Sequence, residues 1–519
     1  SHWLTRISPP FWASKEETMK IQKLLVRIVS LALIAVFLPT VAMADTWYLE
    51  DGSITVSATE SGQNVSQGGV TKADSAPVIK NRDSSTSTTN TVTIKADTGA
   101  TANVTLEDTN IDTTGGAGPD AAGGAAVRTE GGGNVNLNIE QGNTLQSGDD
   151  HAGVEKGNGG NLTIGSESGS GQLVATGGDG GAGIGSESGD YNIGNITITG
   201  GDIFSTGNGG GAGIGGGWYC SASDITITGG NVTAVGKEDD PSRIGGAGIG
   251  GGGYQYPAVG KGTNIKITGG RVTAVGGNSA AGIGGSMGSN GENITISDAE
   301  VVAIGGTCGA GIGGGSADAN GNAAQGTNIS ISGSANVKAA GGVSDGMDGA
   351  GAAIGAGGSH YGKYEKAIDA QEGDADVSGL SPDGKVERFA PGTTFDIPQP
   401  RPRSTTALAE PQPVKAALYR VIDETGKALP VDTKQEDGVL LLTTQADIAI
   451  LEGAISGLET LQSRGIDTIT FTNGTISVSF SLAEVIAKGA SSDVYCLTLS
   501  GNEANFTLAD ADITALLGK

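Results

Sequence analysis

Histidine, cysteine and aromatic residues are scarce in this chain and basic residues are outnumbered, and each shortage removes a class of function. Three cysteines in 519 residues are too few for a disulfide scaffold. Cys220 and Cys308 lie three repeat units apart, beyond disulfide reach if the units stack at about 4.8 Å, and Cys496 stands in a separate region, so three unpaired or buried thiols without a redox role are expected. Beyond Ala44 the only histidines are His151 and His360, in different units and without a serine or cysteine at a telling spacing, which leaves no nucleophilic triad.

The 30 Lys and Arg against 56 Asp and Glu give a net charge of −26. Such a balance repels nucleic acid and anionic membranes and is compatible with divalent cations, Ca²⁺ included. No calcium-binding nonapeptide and no Gly-Lys-Ser/Thr phosphate loop occurs, so no cofactor is expected. Glycine is abundant, at 93 residues, yet it has no three-residue period, which excludes collagen.

The longest apolar run near the start, Ile28 to Leu38, is too short to favour a membrane span. It reads instead as the core of a signal peptide over 19–44, with Lys20, Lys23 and Arg27 before it and Ala42-Met43-Ala44 as the cleavage site. Residues 1–18 read as leader sequence ahead of Met19, because Lys15-Glu16-Glu17-Thr18 can be encoded by a purine run of the ribosome-binding kind. The mature chain then begins at Asp45, with 25 basic against 54 acidic residues and a net charge of −29, and is expected to be extracellular or held at the cell surface.

What the chain does have is a repeat. Gly211-Ala212-Gly213-Ile214-Gly215-Gly216-Gly217 is followed by Asp224-Ile225-Thr226-Ile227-Thr228 and then Asn231-Val232-Thr233-Ala234-Val235. Val127, Val154, Ile184, Ile214, Ile249, Ile283, Ile312 and Ile354 hold the same place in successive units. Alternation in the middle segment, as in Asn195-Ile196-Thr197-Ile198-Thr199, turns Ile inward and Thr outward. Three short strands per unit, each ended by glycine, describe a three-sided coil whose core grows along an axis. The expected fold is an all-β parallel β-helix of about eight to ten coils, right-handed by the crossover rule. Asn134, Asn161, Asn195, Asp224, Asn264, Asn293 and Asn328 open the middle strands and are expected to stack as a ladder.

The glycine block resembles repeats in secreted pectate-lyase-like β-helix proteins of anaerobic Gram-positive bacteria, often labelled carbohydrate-binding or adhesin-like. The resemblance covers roughly residues 45–358, with 45–120 as N-terminal cap and first coils and 121–358 as regular repeats. It implies a polysaccharide or cell-surface glycan as partner. No binding residue carries over, because the shared motif is structural.

After Gly358 the pattern stops. Residues 359–415 form an irregular region and a Pro-rich extended linker, densest in proline over 390–415, and 416–519 read as a small α+β domain. In that domain Ile448, Leu451, Ile455, Leu458 and Leu461 step at helical spacing, and Asn473-Gly474 marks a hairpin.

Enzymes on this fold need paired carboxylates, or acids clustered with Ca²⁺ and a basic residue. Here the acids look scattered, with Asp202 in one unit and Asp298 and Glu300 in another, so catalysis is not expected. The rare aromatics are placed more tellingly. Tyr191, Trp218, Tyr219, Tyr254 and Tyr256 follow glycine blocks at one offset and should form a patch over three coils, suited to stacking on sugars, with Glu238, Asp239, Asp240 and Arg243 as hydroxyl partners. The competing readings are rings folded back over glycine backbone, or an oligomer contact. The expected function is glycan binding or adhesion without catalysis. A ligand-free structural spacer, a polysaccharide lyase or hydrolase, and ice binding by Thr197, Thr199, Thr226 and Thr228 stand as alternatives, the last opposed by Lys266 on the same face.

Overall fold

A computed structural model describes residues 45–115, 123–189, 193–237, 244–253, 260–361, 366–402, 419–423, 429, 431–436, 438–463, 466–489, 493–509 and 511–518. The chain divides into two compact units, Ser1–Ala407 and Leu408–Lys519.

The first unit is a parallel β-helix with three long sheets of 11, 9 and 12 strands. On the glycine-block side ten strands, from Ile54–Thr59 to Ile354–Gly355, stack in parallel and in register. Ile184, Ile214, Ile249, Ile283 and Ile312 are paired neighbours in that stack and have no exposed surface. Ile196 and Ile198 on the middle side are likewise fully buried. The alternation in sequence therefore has the expected cause: every second side chain enters one apolar column.

Glycine is required beside each isoleucine. The backbone at Gly215 has φ of +135°, and a Cβ there would stand 2.0 Å from the carbonyl oxygen of Gly250 in the next coil. Only a residue without a side chain fits. At the corner before the middle strand the same backbone need is met by Asn and Asp, which tolerate the left-handed region: φ is 59° at Asn195, 52° at Asp224, 53° at Asn264, 57° at Asn293 and 53° at Asn328. The side chains form a ladder over four of these corners, Asn328 Nδ2 donating to Asn293 Oδ1, Asn293 Nδ2 to Asn264 Oδ1 and Asn264 Nδ2 to Asp224 Oδ1. Three of the seven expected rungs are missing: Asn134 and Asn161 are absent from the left-handed set, with Asn134 Oδ1 accepting from the Asn161 backbone N–H instead, and Asn195 has the left-handed backbone but stands outside the side-chain ladder that ends at Asp224.

The glycine-block sheet is extended at one end and blocked at the other. Ile54–Thr59 pairs antiparallel with Gly62–Gln67, which pairs with Val70–Ala73. At the other end the Glu372 carboxylate accepts the N–H groups of Ala353 and Ile354 at 2.7 and 3.2 Å, so that edge does not invite another strand.

The proline-rich stretch is held over its described part. Gly392 N–H donates to Gly341 O at 2.9 Å, in the last coils. Nine residues on, Arg401 bonds the side chain of Gln172, the carbonyl of Ser170 and the carboxylate of Asp202, far back along the helix. A segment tied at those two points crosses the outer face of the nine-stranded sheet. Thr233 and Thr273, which alternation points outward there, are correspondingly 6% and 3% exposed.

The second unit has a five-stranded and a four-stranded sheet with helices Ile455–Ser463 and Leu482–Ile486. Its core gathers Leu442, Leu451, Leu458, Phe471, Phe480, Tyr495 and Phe506. The hairpin at Asn473-Gly474 joins Thr468–Thr472 to Ser477–Ser481. The helix is shorter than its apolar spacing suggests, because Ile448–Ala454 is a strand paired with Val494–Ser500; Leu451 sits at helical spacing from Ile455 by coincidence, and sheet pairing prevails.

Two outcomes are expected. Gly215→Ala should lower the thermal midpoint by the equivalent of more than about 2 kcal/mol, whereas Gly142→Ala, where a Cβ meets nothing within 4 Å, should leave it nearly unchanged. All three cysteines are free thiols, and burial pushes Cys308 up to about 12, so at pH 8 only on the order of one molecule in 10⁴ carries its thiolate. A thiol-disulfide reagent at pH 8 should leave Cys308 unmodified in the native protein and titrate three thiols after denaturation.

Candidate functional site

The outward column beside the buried isoleucines is glycine in six consecutive coils, from Gly185 to Gly355. In the two coils before it the same register position holds Arg128 and Glu155. Neither has left-handed backbone, so side chains are admitted there.

These side chains, with others from the turns, build a line of alternating charge across the coils. Lys95 Nζ lies 3.0 Å from Glu130; Arg128 reaches Glu130 through Nε at 3.3 Å and Glu155 Oε1 through Nη1 at 3.1 Å. Glu155 Oε2 is 2.7 Å from His151 Nδ1, which lies 3.8 Å from Glu187. The Glu155 side chain is only 3% exposed, and burying a carboxylate this deeply requires such partners. The hydrogen bond to Glu155 holds the His151 imidazolium above its ordinary pKa, against the opposing effect of burial.

Lys156 follows directly. It is 6% exposed, its Nζ donates to the carbonyl of Asn158 at 2.6 Å, and among the described residues no carboxylate lies within ion-pair distance of it. Burial alone pushes its ammonium down to about 8. Asn158 is itself fixed, accepting from Thr129 Oγ1 and donating to Gly133 O, both at 2.8 Å. Arg128, Glu155, Lys156 and Asn158 form one wall of a groove of about 470 Å³; Ser186, Glu187 and Ile193 to Asn195 form the other.

One coil further on stands Trp218, whose carbonyl accepts the N–H of Gly189 at 2.9 Å and whose own N–H donates to Gly180 O at 2.7 Å. Its side chain is partly open, the residue being 39% exposed. A Cβ on Gly210 would meet the indole Cδ1 at 2.8 Å, and the Tyr219 ring packs edge-on with centroids 4.5 Å apart. The indole thus stands against glycine backbone and is partly exposed. Tyr191, Tyr254, Tyr256, Glu238, Asp239, Asp240 and Arg243 lie outside the described residues.

The acids that look scattered in sequence divide into two kinds. Asp202 pairs with Arg401 and Glu300 with Arg271, and Asp298 accepts from the backbone of Ser334; these are structural. Position along the chain does not bring out Glu155 and Glu187; for Glu155 the unit alignment carries a signal, since Val127-Arg128-Thr129 and Val154-Glu155-Lys156 stand where later units have Ile-Gly-Ser, Ile-Gly-Gly or Ile-Gly-Ala.

Residues 225–253, 265–287 and 294–316 match a family model described as a beta helix repeat. Each match begins in a middle strand and runs into the following glycine block, which supports a β-helix of the pectate-lyase-like kind. No curated protein and no solved structure matches the chain.

Glu155→Gln should weaken the hold on Arg128 and His151 and cost about 1–3 kcal/mol, measured as a shift of the denaturant midpoint. Lys385→Ala, which removes a single ion-pair contact to Glu387 from a largely exposed side chain, should leave the midpoint unmoved.

Proposed function

We propose that this protein is an exported β-helix that binds glycan through the groove beside Arg128, Glu155 and Lys156 and through the Trp218 ring, without catalysis. The observation that carries the reading is a groove of about 470 Å³ whose polar walls are already fixed by Asn158, Thr129 and Arg128. A site held by stacked coils loses little freedom when a ligand enters. Hydrogen-bond donors in a groove, with a partly exposed indole one coil further on, suit a sugar, which offers hydroxyls at its edge and C–H groups on its face. Export rests on residues 19–44, whose charged start, apolar core and small-residue end have the signal-peptide pattern. The absence of catalysis is favoured by Glu155, both of whose oxygens are engaged.

One observation favours a second reading. Lys156 lines the groove and has an ammonium pushed down to about 8, the property of a general base in a polysaccharide lyase.

A glycan array on the chain from Asp45 onward, with Trp218→Ala and Lys156→Met beside the parent, separates these readings. Glycan binding predicts a signal that each substitution weakens, the lost ring costing about 1–3 kcal/mol. Signal indifferent to both removes the groove, and no signal at all leaves the spacer. Release of unsaturated or reducing sugar ends, abolished by Lys156→Met, establishes the enzyme instead.

A further inference from the structure

We propose that His151, Glu155 and Glu187 form a binding site for a divalent transition metal of the zinc type at the edge of the groove. The inference does not depend on the groove taking a glycan. His151 Nδ1, a Glu155 oxygen and a Glu187 oxygen all lie within 4.8 Å of one another. One imidazole nitrogen with two carboxylate oxygens is a donor set for Zn²⁺, Co²⁺ or Ni²⁺, whereas Ca²⁺ and Mg²⁺ prefer oxygen alone.

The ligands come from two adjacent coils whose register is fixed, since Glu155 pairs with Gly185 in the parallel ladder and Glu187 follows two residues later. His151 precedes Glu155 by four residues in the turn that enters the same strand. Arg128 occupies Oε1 of Glu155 and leaves Oε2 turned toward the histidine, the outer-sphere arrangement that aims a ligating carboxylate. Metal–ligand distances of about 2.0–2.2 Å require the triangle to contract, and Glu187, 34% exposed at its side chain, has the freedom to close it.

Two independent features point to a ligand. The groove opens on Glu155 and Glu187, which leaves coordination positions for water or for an oxygen of whatever occupies it. The column that is glycine in six coils also gives up its closest packing just here, at Arg128 and Glu155. The acidic chain, at −26, raises the local concentration of cations.

The test uses the chain without an affinity tag, stripped with a chelator, dialysed and titrated separately with Zn²⁺, Co²⁺ and Ca²⁺ by calorimetry, with the visible absorption of Co²⁺ as a second readout. One equivalent of Zn²⁺ or Co²⁺ is expected, with Ca²⁺ binding weaker by at least about tenfold. His151→Ala and Glu187→Gln should each weaken Zn²⁺ by more than about tenfold. Glu187→Gln is a near-isosteric change of a side chain about one-third exposed and is expected to keep the fold, so it decides the matter if His151→Ala does not fold. No saturable Zn²⁺ binding, or binding that both variants leave unchanged, overturns the site and leaves the cluster as an ion-pair network.

Discussion

One hydrogen bond, repeated, governs this molecule. The N–H of the buried isoleucine in each glycine block donates to a carbonyl in the next coil: Ile184 to Gly213, Ile214 to Gly248, Ile249 to Gly282, Ile283 to Gly311 and Ile312 to Ala353, all at 2.9–3.0 Å. Parallel pairing at so short a strand tolerates no slip, because a shift of one residue would turn isoleucine outward and glycine inward. The glycines that follow, the Asn and Asp corners and the buried columns are all conditions for keeping that bond in register through coils of unequal length. Where units lengthen, as from Ile214 to Ile249, the flanking strands still pair in register.

A site on such a scaffold has to be made by breaking the rule locally. Arg128 and Glu155 keep the register but not the left-handed backbone, and this difference converts a corner that excludes side chains into one that carries charge. The cost of burying Glu155 is met within the network, by Arg128 on one oxygen and His151 on the other. Lys156 has a backbone carbonyl as its partner and no carboxylate within ion-pair distance among the described residues, so burial pushes its ammonium down. Because the coils are stacked by main-chain bonds, these side chains hold their spacing without help from a ligand.

The fold was legible because its determinants are periodic. Ile196 and Ile198, the isoleucine column and the strands near Ile54, Val92 and Val104 all follow from alternation and recurrence, which a sequence displays directly. The candidate site was not legible in the same way. His151, Glu155 and Glu187 span 36 residues yet meet because neighbouring coils stack in register, and a list of acids by position hides that. The strand at Ile448–Ala454 was hidden for the opposite reason, since two of its apolar residues fit a helical period and only pairing with Val494–Ser500 decides between them. The aromatic edge rests on one sequence offset, and of its five rings the described residues include Trp218 and Tyr219.

The segment from Gly392 to Arg401 bears on the order in which the molecule assembles. Neighbouring coils contact each other over some thirty residues, so they can stack one after another as the chain emerges, each adding its own contacts. The bonds from Arg401 to Gln172 span 229 residues, and they cannot form until nearly all coils exist. A solenoid unzips from its ends, but this one carries a late-closing tie from its last coils back toward its first third. Fraying at the C-terminal end therefore has to release Arg401 from Gln172 and Asp202 as well, and the stack gains a cooperativity that nearest-neighbour contacts alone do not supply.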